Sequence, residues 1–161
     1  MFYISGFYKF KKIKNIKKSK KHLQNYFIKK NIRGTIIISN EGINGTISAK
    51  KKNLDLVIKK IKNTFKFIKF DNQNLSKSKF QAFHRGKIKI KKEVVPMGIK
   101  ISKRKLDNHL DPIKWNKLIK SKNIFLIDIR KSFEYNVGTF KGSINPKVDN
   151  FREFPKYLKK L

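Results

Sequence analysis

The sequence predicts an α+β fold, and three observations carry that prediction. Strand-like and helix-like segments alternate over the first hundred residues in the order strand, helix, strand, strand, helix, strand. The apolar residues change period between those segments, from two in the strand-like stretches to about 3.6 in the helix-like ones. After Gly98 a polar stretch leads into a new helix signal and one more apolar strand signal, so an α/β-type piece follows the first.

Each element has its own local reason. FYISGFYKF, Phe2–Phe10, is rich in strand formers and predicts the first strand. A lysine-heavy connection follows, and Ser19 is placed to cap a helix to about Lys30 with Leu23, Tyr26 and Phe27 on one face. Residues 32–39 contain Ile36, Ile37 and Ile38 in a row, which predicts a strand buried on both faces. NEGING, residues 40–45, is a turn, and residues 43–48 make the returning strand. Ser48 is the next candidate cap, for a helix whose Leu54, Ile58, Ile61 and Phe65 recur at helical spacing. Residues 66–70 read as a short strand or the lead into one, residues 71–79 as a polar loop, and residues 86–95 as a strand.

That order is the split βαβ, or ferredoxin-like, pattern, of which the acylphosphatase-like arrangement is one version. Many functions share it, so it speaks for fold and not for activity. The first domain is expected at residues 1–98, a linker at 99–110 and a second piece at 111–161. In that piece Asp111 caps a helix with Pro112 at its first position and Trp115, Leu118 and Ile119 on its apolar face. Residues 124–128, IFLID, predict a short buried strand, and FREFPKYLKKL starts another helix at the end.

Composition narrows the partners. The 42 Lys and Arg against 10 Asp and Glu give a formal net charge of +32, and the first acidic residue is Glu41. Such a chain attracts polyanions, with nucleic acid ahead of an anionic membrane surface. Codon bias offers a bland reading of the same number: 37 of the basic residues are Lys, beside 23 Ile and 15 Asn, all residues of A/T-rich codons. Lysines interrupt every apolar run before it reaches the roughly 18 to 20 residues of a membrane span. MFYISGFYKF carries no charge ahead of its apolar run and does not read as a signal peptide, so a cytoplasmic location is expected. With no cysteine there is no disulfide and no thiolate metal site. The three histidines, at 22, 84 and 109, are scattered and propose no metal site. No phosphate-binding or dinucleotide glycine fingerprint is present.

The strand GKIKIKKEVV is the candidate RNA-binding element. Lys87, Lys89 and Lys91 share one face while Ile88 and Ile90 share the other, and Phe83, His84 and Arg85 just before them add ring and donor groups. The competing reading is a solvated edge strand whose lysines guard against edge-to-edge aggregation.

Four pieces then occur together in one order: NEGINGTIS (40–48), KIKKEVVPMG (89–98), LDPIKWNKLI (110–119) and IDIRKSFEYNVGTFKGSINPKVDNFREFP (127–155). Across essentially the whole chain this set resembles the oxygen-dependent tRNA uridine hydroxylases, bacterial proteins that join an acylphosphatase-like N-terminal domain to a rhodanese domain. The last piece is the specific one, with Gly138-Thr139-Phe140 where a general rhodanese has Gly-His-Ile. The resemblance implies an acylphosphatase-like βαββαβ domain followed by an incomplete α/β rhodanese domain. It implies tRNA as partner, hydroxylation at C5 of the wobble uridine, and molecular oxygen as co-substrate. The family's catalytic cysteine sits in a Cys-Thr-Gly-Gly-Ile-Arg-Cys loop that is expected beyond Leu161, so this stretch alone is expected to be inactive. Two alternatives remain: a rhodanese-type sulfurtransferase, and a non-catalytic RNA-binding remnant of a truncated gene.

Asp128, Arg130 and Glu134 are the candidate rhodanese-site residues. Asp128 and Arg130 end a strand, where α/β proteins place ligand-facing groups, and Arg130 is suited to an anionic substrate group with Asp128 orienting it. The plainer reading is an Asp–Arg pair that fixes the loop. Glu134 joins that network or starts a helical turn. Gly138 and Gly142 are expected to allow turn conformations.

Overall fold

The computed structural model describes residues 1–95, 110–148 and 150–161. It divides into two compact units, Met1–Val95 and Pro96–Leu161. The expected linker at 99–110, except its last residue, and His109 lie outside the described residues.

The first unit is a five-stranded sheet with both of its helices on one face. In chain order it runs β1 (Phe2–Phe10), α1 (Ile16–Lys29), β2 (Arg33–Ser39), β3 (Gly42–Lys50), α2 (Lys51–Phe65), β4 (Asn72–Ser78) and β5 (Gly86–Ile90). The spatial order is β4-β1-β3-β2-β5. β1 pairs antiparallel with β3 and β4, and β2 antiparallel with β3, whereas β5 adds parallel to β2. The first six elements give the βαββαβ order, and β5 extends it, so the domain is acylphosphatase-like α+β with a mixed sheet.

Strand alternation builds the core. Phe7, Ile36, Ile38, Ile43, Ile47, Ala49 and Ile88 project to the helical face, where Leu23 and Phe27 of α1 and Leu54, Val57, Ile61 and Phe65 of α2 meet them. Burying such a side chain contributes about 1.5–3 kcal/mol, so this face holds the unit together. Gln24 of α1 closes the free edge of β5: its Oε1 accepts from Ile88 N–H at 3.1 Å and its Nε2 donates to the Gly86 carbonyl at 3.3 Å.

Several local expectations are corrected. α1 starts earlier than Ser19, after Asn15 in a left-handed conformation (φ 56°), and Ser19 N–H donates back to the Asn15 carbonyl. Ser48 lies inside β3 and caps nothing; α2 follows Lys50, and Val57 takes the fully buried position while Ile58 is only partly buried. β2 is sealed on one face only: Ile36 and Ile38 are buried and Ile37 is half-exposed. Residues 66–70 are not a strand, because Lys66 ends α2 in a left-handed cap and Phe70 turns into the core against Phe7, with ring centroids 4.6 Å apart. The fourth strand is Asn72–Ser78, within the stretch that reads as a loop. β5 stops at Ile90 rather than at 95.

The second unit has little regular structure among its described residues. α3 (Pro112–Leu118) begins as expected, with the Asp111 carboxylate accepting from Lys114 N–H at 2.9 Å. α4 (Ser132–Val137) and α5 (Phe154–Leu158) are short. The expected buried strand at 124–128 reduces to a single parallel bridge, Ile127 to Ile144, and Phe125 is 77% exposed. That stretch has the side chains of a buried strand but pairs with only one short segment.

Candidate functional site

Two groups of residues carry the candidate chemistry, one in each unit. In the first, the parallel ladder of β5 on β2 sets the direction of each side chain. Ile36 pairs with Ile88 on the helical side; Thr35 pairs with Lys87 and Ile37 with Lys89 on the opposite face. Lys91 lies just past the strand but keeps the ladder, its N–H donating to the Ile38 carbonyl at 3.0 Å. Lys87 is half-buried, and Lys89 and Lys91 are exposed. His84 and Arg85 are exposed at the entry to β5 and line a cavity of about 290 Å³ with Gln24, Asn31 and Arg33. Phe83, in a left-handed conformation (φ 70°), offers its carbonyl to Arg33 Nη1. The three lysines thus share a face, while His84 and Arg85 sit at its end.

In the second unit, Asp128 is the centre of a hydrogen-bonded network. Its two carboxylate oxygens accept from Arg130 Nε at 2.9 and 3.1 Å, and Oδ2 also accepts from Arg130 Nη2. Thr139 Oγ1 donates to the same Oδ2 at 2.8 Å and lies 2.6 Å from Ser143 Oγ. Arg130 Nη2 donates onward to the Gly138 carbonyl at 2.7 Å, tying the strand end to the loop after α4. The Arg130 hydrogen bonds hold the Asp128 carboxyl well below the usual carboxylate range, and Thr139 adds to the effect. The guanidinium is correspondingly raised, chiefly by Asp128. Glu134 stands apart from these bonds: its carboxylate accepts from Lys131 N–H at 3.3 Å and caps α4. Gly142 does adopt a left-handed conformation (φ 81°), whereas Gly138 is extended (φ 167°) and has open space where a Cβ would be.

Asp128, Arg130, Thr139 and Ser143 face a cavity of about 620 Å³ whose other walls include Trp115 and Phe140, with rings 5.4 Å apart. The indole N–H of Trp115 is buried without a hydrogen-bond partner. Thr139, Ser143 and Trp115 are the residues that sequence reasoning missed. Thr139 was readable in principle, because it lies between Gly138 and Phe140 in the motif, but its reach to Asp128 depends on how the loop closes.

Residues 2–94 match the family model described as UPF0176 acylphosphatase like domain. The whole chain is 64% identical to a Pelagibacter ubique (strain HTCC1062) protein named tRNA uridine(34) hydroxylase, covering 100% of this chain and 54% of that protein. A protein of the same name from Acinetobacter baumannii (strain AYE) is 38% identical, over 98% of this chain and 50% of its own length. The chain therefore spans about half the length of the curated relatives it matches. Among solved structures, acylphosphatase from Bacillus subtilis superposes with a TM-score of 0.40 at 14% identity, over 55% of this chain and 98% of that one. The chain belongs to the family defined by the UPF0176 acylphosphatase-like domain.

Proposed function

We propose that this chain is the tRNA-holding domain and the first part of the rhodanese-like domain of a cytoplasmic tRNA uridine(34) hydroxylase. The observation that carries the reading is the 64% identity, over the full chain, to a relative of that name. In this reading the basic residues of the first unit, with His84, Arg85, Lys87, Lys89 and Lys91 foremost, contact the phosphate backbone, which orients an RNA without reading its sequence. Asp128 and Arg130, locked together and exposed to a cavity, position an anionic group of the substrate or the loop that binds it. Glu134 acts on them only through the helix it caps. Oxygen is the co-substrate, and no residue of this stretch activates it.

The 161-residue chain contains no cysteine, so thiolate chemistry cannot run within it. It is expected to show no turnover alone, either in thiosulfate–cyanide sulfur transfer or in oxygen-dependent conversion of wobble uridine. The test uses a chimera in which residues 1–161 replace the matching half of the Pelagibacter ubique relative. Nucleoside mass spectrometry of tRNA, after expression in a strain lacking its own hydroxylase, is expected to show 5-hydroxyuridine at the wobble position. A folded chimera that leaves wobble uridine unmodified, or turnover by the 161-residue chain itself, would sink the reading.

A further inference from the structure

Both helices of the first unit cover one face of its sheet, and the residues of opposite parity form a second face that neither helix covers. The pairing registers put side chains of five strands into rows across that face. One row runs from Asn72 through Tyr8, Asn44 and Ile37 to Lys89. The next, toward the β2–β3 turn, joins Phe10, Gly42 and Ser39, with Lys91 beside them. Aromatic rings therefore lie on β1, lysines lie on β5, and small polar side chains such as Asn44, Thr46 and Thr35 form the floor between. With strands about 4.8 Å apart, Tyr8 and Lys89 are separated by roughly 14 Å across three strand steps.

Three features distinguish this face from an ordinary solvated one. Edge protection explains lysines on β5, an outer strand, but gives no role to Tyr8 and Phe10 on β1, which is an interior strand. Those two rings lie together with centroids 5.8 Å apart, and Phe10 is 41% exposed. None of the paired positions on this face is acidic, while Arg33 and Lys50 add cations at its other end. The neighbouring carboxylate of Asp71 is held by Lys9 and by the Phe10 N–H.

We propose that the helix-free face of the sheet is a platform for unpaired RNA, with Tyr8 and Phe10 stacking on splayed bases and Arg33, Lys50, Lys87, Lys89 and Lys91 gripping the phosphates. The inference deepens the tRNA reading and rests on it: it selects a single-stranded loop, not a helical stem, as the part this unit holds. Stacking rings serve only bases that are out of a helix, because paired RNA presents no base faces. A cationic margin beside rings is the arrangement by which single strands are held without sequence readout. A protein surface is the other possible occupant; with no acid on its rim, the charge of the face matches RNA.

The test measures binding of the 161-residue chain to an RNA hairpin with an unpaired loop and to a continuous duplex containing the same stem. The variant Tyr8→Leu with Phe10→Leu keeps apolar volume and removes the ring faces. It is expected to weaken hairpin binding about ten-fold or more, since base–aromatic stacking contributes about 1–3 kcal/mol per base, and to leave duplex binding within about two-fold. Phe10→Leu alone serves if the double variant does not fold. The charge arm compares Lys87/Lys89/Lys91→Gln with Lys17/Lys18/Lys20→Gln, three exposed lysines on α1. The strand triple is expected to flatten the plot of log K against log salt by roughly 2 to 3 units, at about 0.7–0.9 per phosphate released, and the α1 triple by clearly less. Ring variants that leave hairpin affinity unchanged, or that lower hairpin and duplex affinity alike, overturn the platform. If the strand triple still outweighs the α1 triple in that case, the tRNA reading survives. If the wild-type chain binds neither RNA, both fall. Loss of self-association in the ring variants, with RNA affinity intact, would make the face a protein-docking surface and also overturn the proposal.

Discussion

Asp128 shows how one side chain can hold a loop in place. Its carboxylate accepts from Arg130 and Thr139, while Arg130 reaches on to the Gly138 carbonyl, so residues 128, 130, 138 and 139 are tied into one corner. These bonds favour the ionised carboxylate, and the folded pKa lies below that of the unfolded chain, about 3.9. The sign follows by linkage: the stabilisation is fully present above about pH 4 and is lost as pH falls through the folded pKa. A carbon-detected NMR titration is therefore expected to find Asp128 still ionised at about pH 3. A midpoint at or above 4 would mean that the Arg130 contact does not persist in solution. Between about pH 5 and 8 this group should contribute no pH dependence to stability.

At the scale of elements, the β2–β3 pair depends on one close backbone approach. Gly34 has φ +113°, and a Cβ there would lie 2.2 Å from the Thr46 carbonyl oxygen and 2.8 Å from Ile47 Cα. Both atoms belong to the backbone of β3, so no side-chain rotation relieves the clash. Gly34→Ala is expected to cost at least about 2 kcal/mol, combining backbone strain with overpacking. That should lower the melting temperature of the first unit by several degrees, at about 4–8 °C per kcal/mol for a unit of this size. Gly138→Ala is the contrast, because its φ is extended and nothing lies within 4 Å of the added methyl. It should shift stability by no more than about 0.5 kcal/mol. Thermal unfolding followed by circular dichroism checks both, and equal effects at the two sites would refute the argument.

Across the whole molecule, burial is unevenly shared. The core of large buried side chains belongs to the first unit, whereas the described buried residues of the second are few and include Ser143 and Val148. Ile113, Phe125, Phe133 and Val137 each stand more than 60% exposed. Amide exchange reports local opening, and segments with few buried contacts open first. Strong protection is expected at residues 23–27 of α1 and 57–61 of α2, and weak protection at residues 124–128, by hydrogen-exchange mass spectrometry. Uniform protection along the chain would show that the apolar faces of the second unit are covered in solution, for instance by a second copy.

What the sequence determined by itself is what local patterning controls. The β1 alternation, the apolar faces of α1 and α2, and the Asp111–Pro112 helix start can each be read within a single element. So can the one-sided lysines of β5, and the motif around Asp128 and Arg130 marks a site before any fold is known. Tertiary structure decided the rest. NQNLSKS reads as a loop because nearly all of it is exposed and it has no apolar alternation; it is a strand because β1 offers a free edge of backbone donors and acceptors. Residues 124–128 show the converse, an apolar strand-former run that pairs with only one short segment. The parallel addition of β5 to β2 was equally invisible, yet it carries the lysines of one element to the face that bears the rings of another. Side-chain pattern is local, but a strand exists only where another strand satisfies its backbone, and that partner is chosen by the assembled sheet.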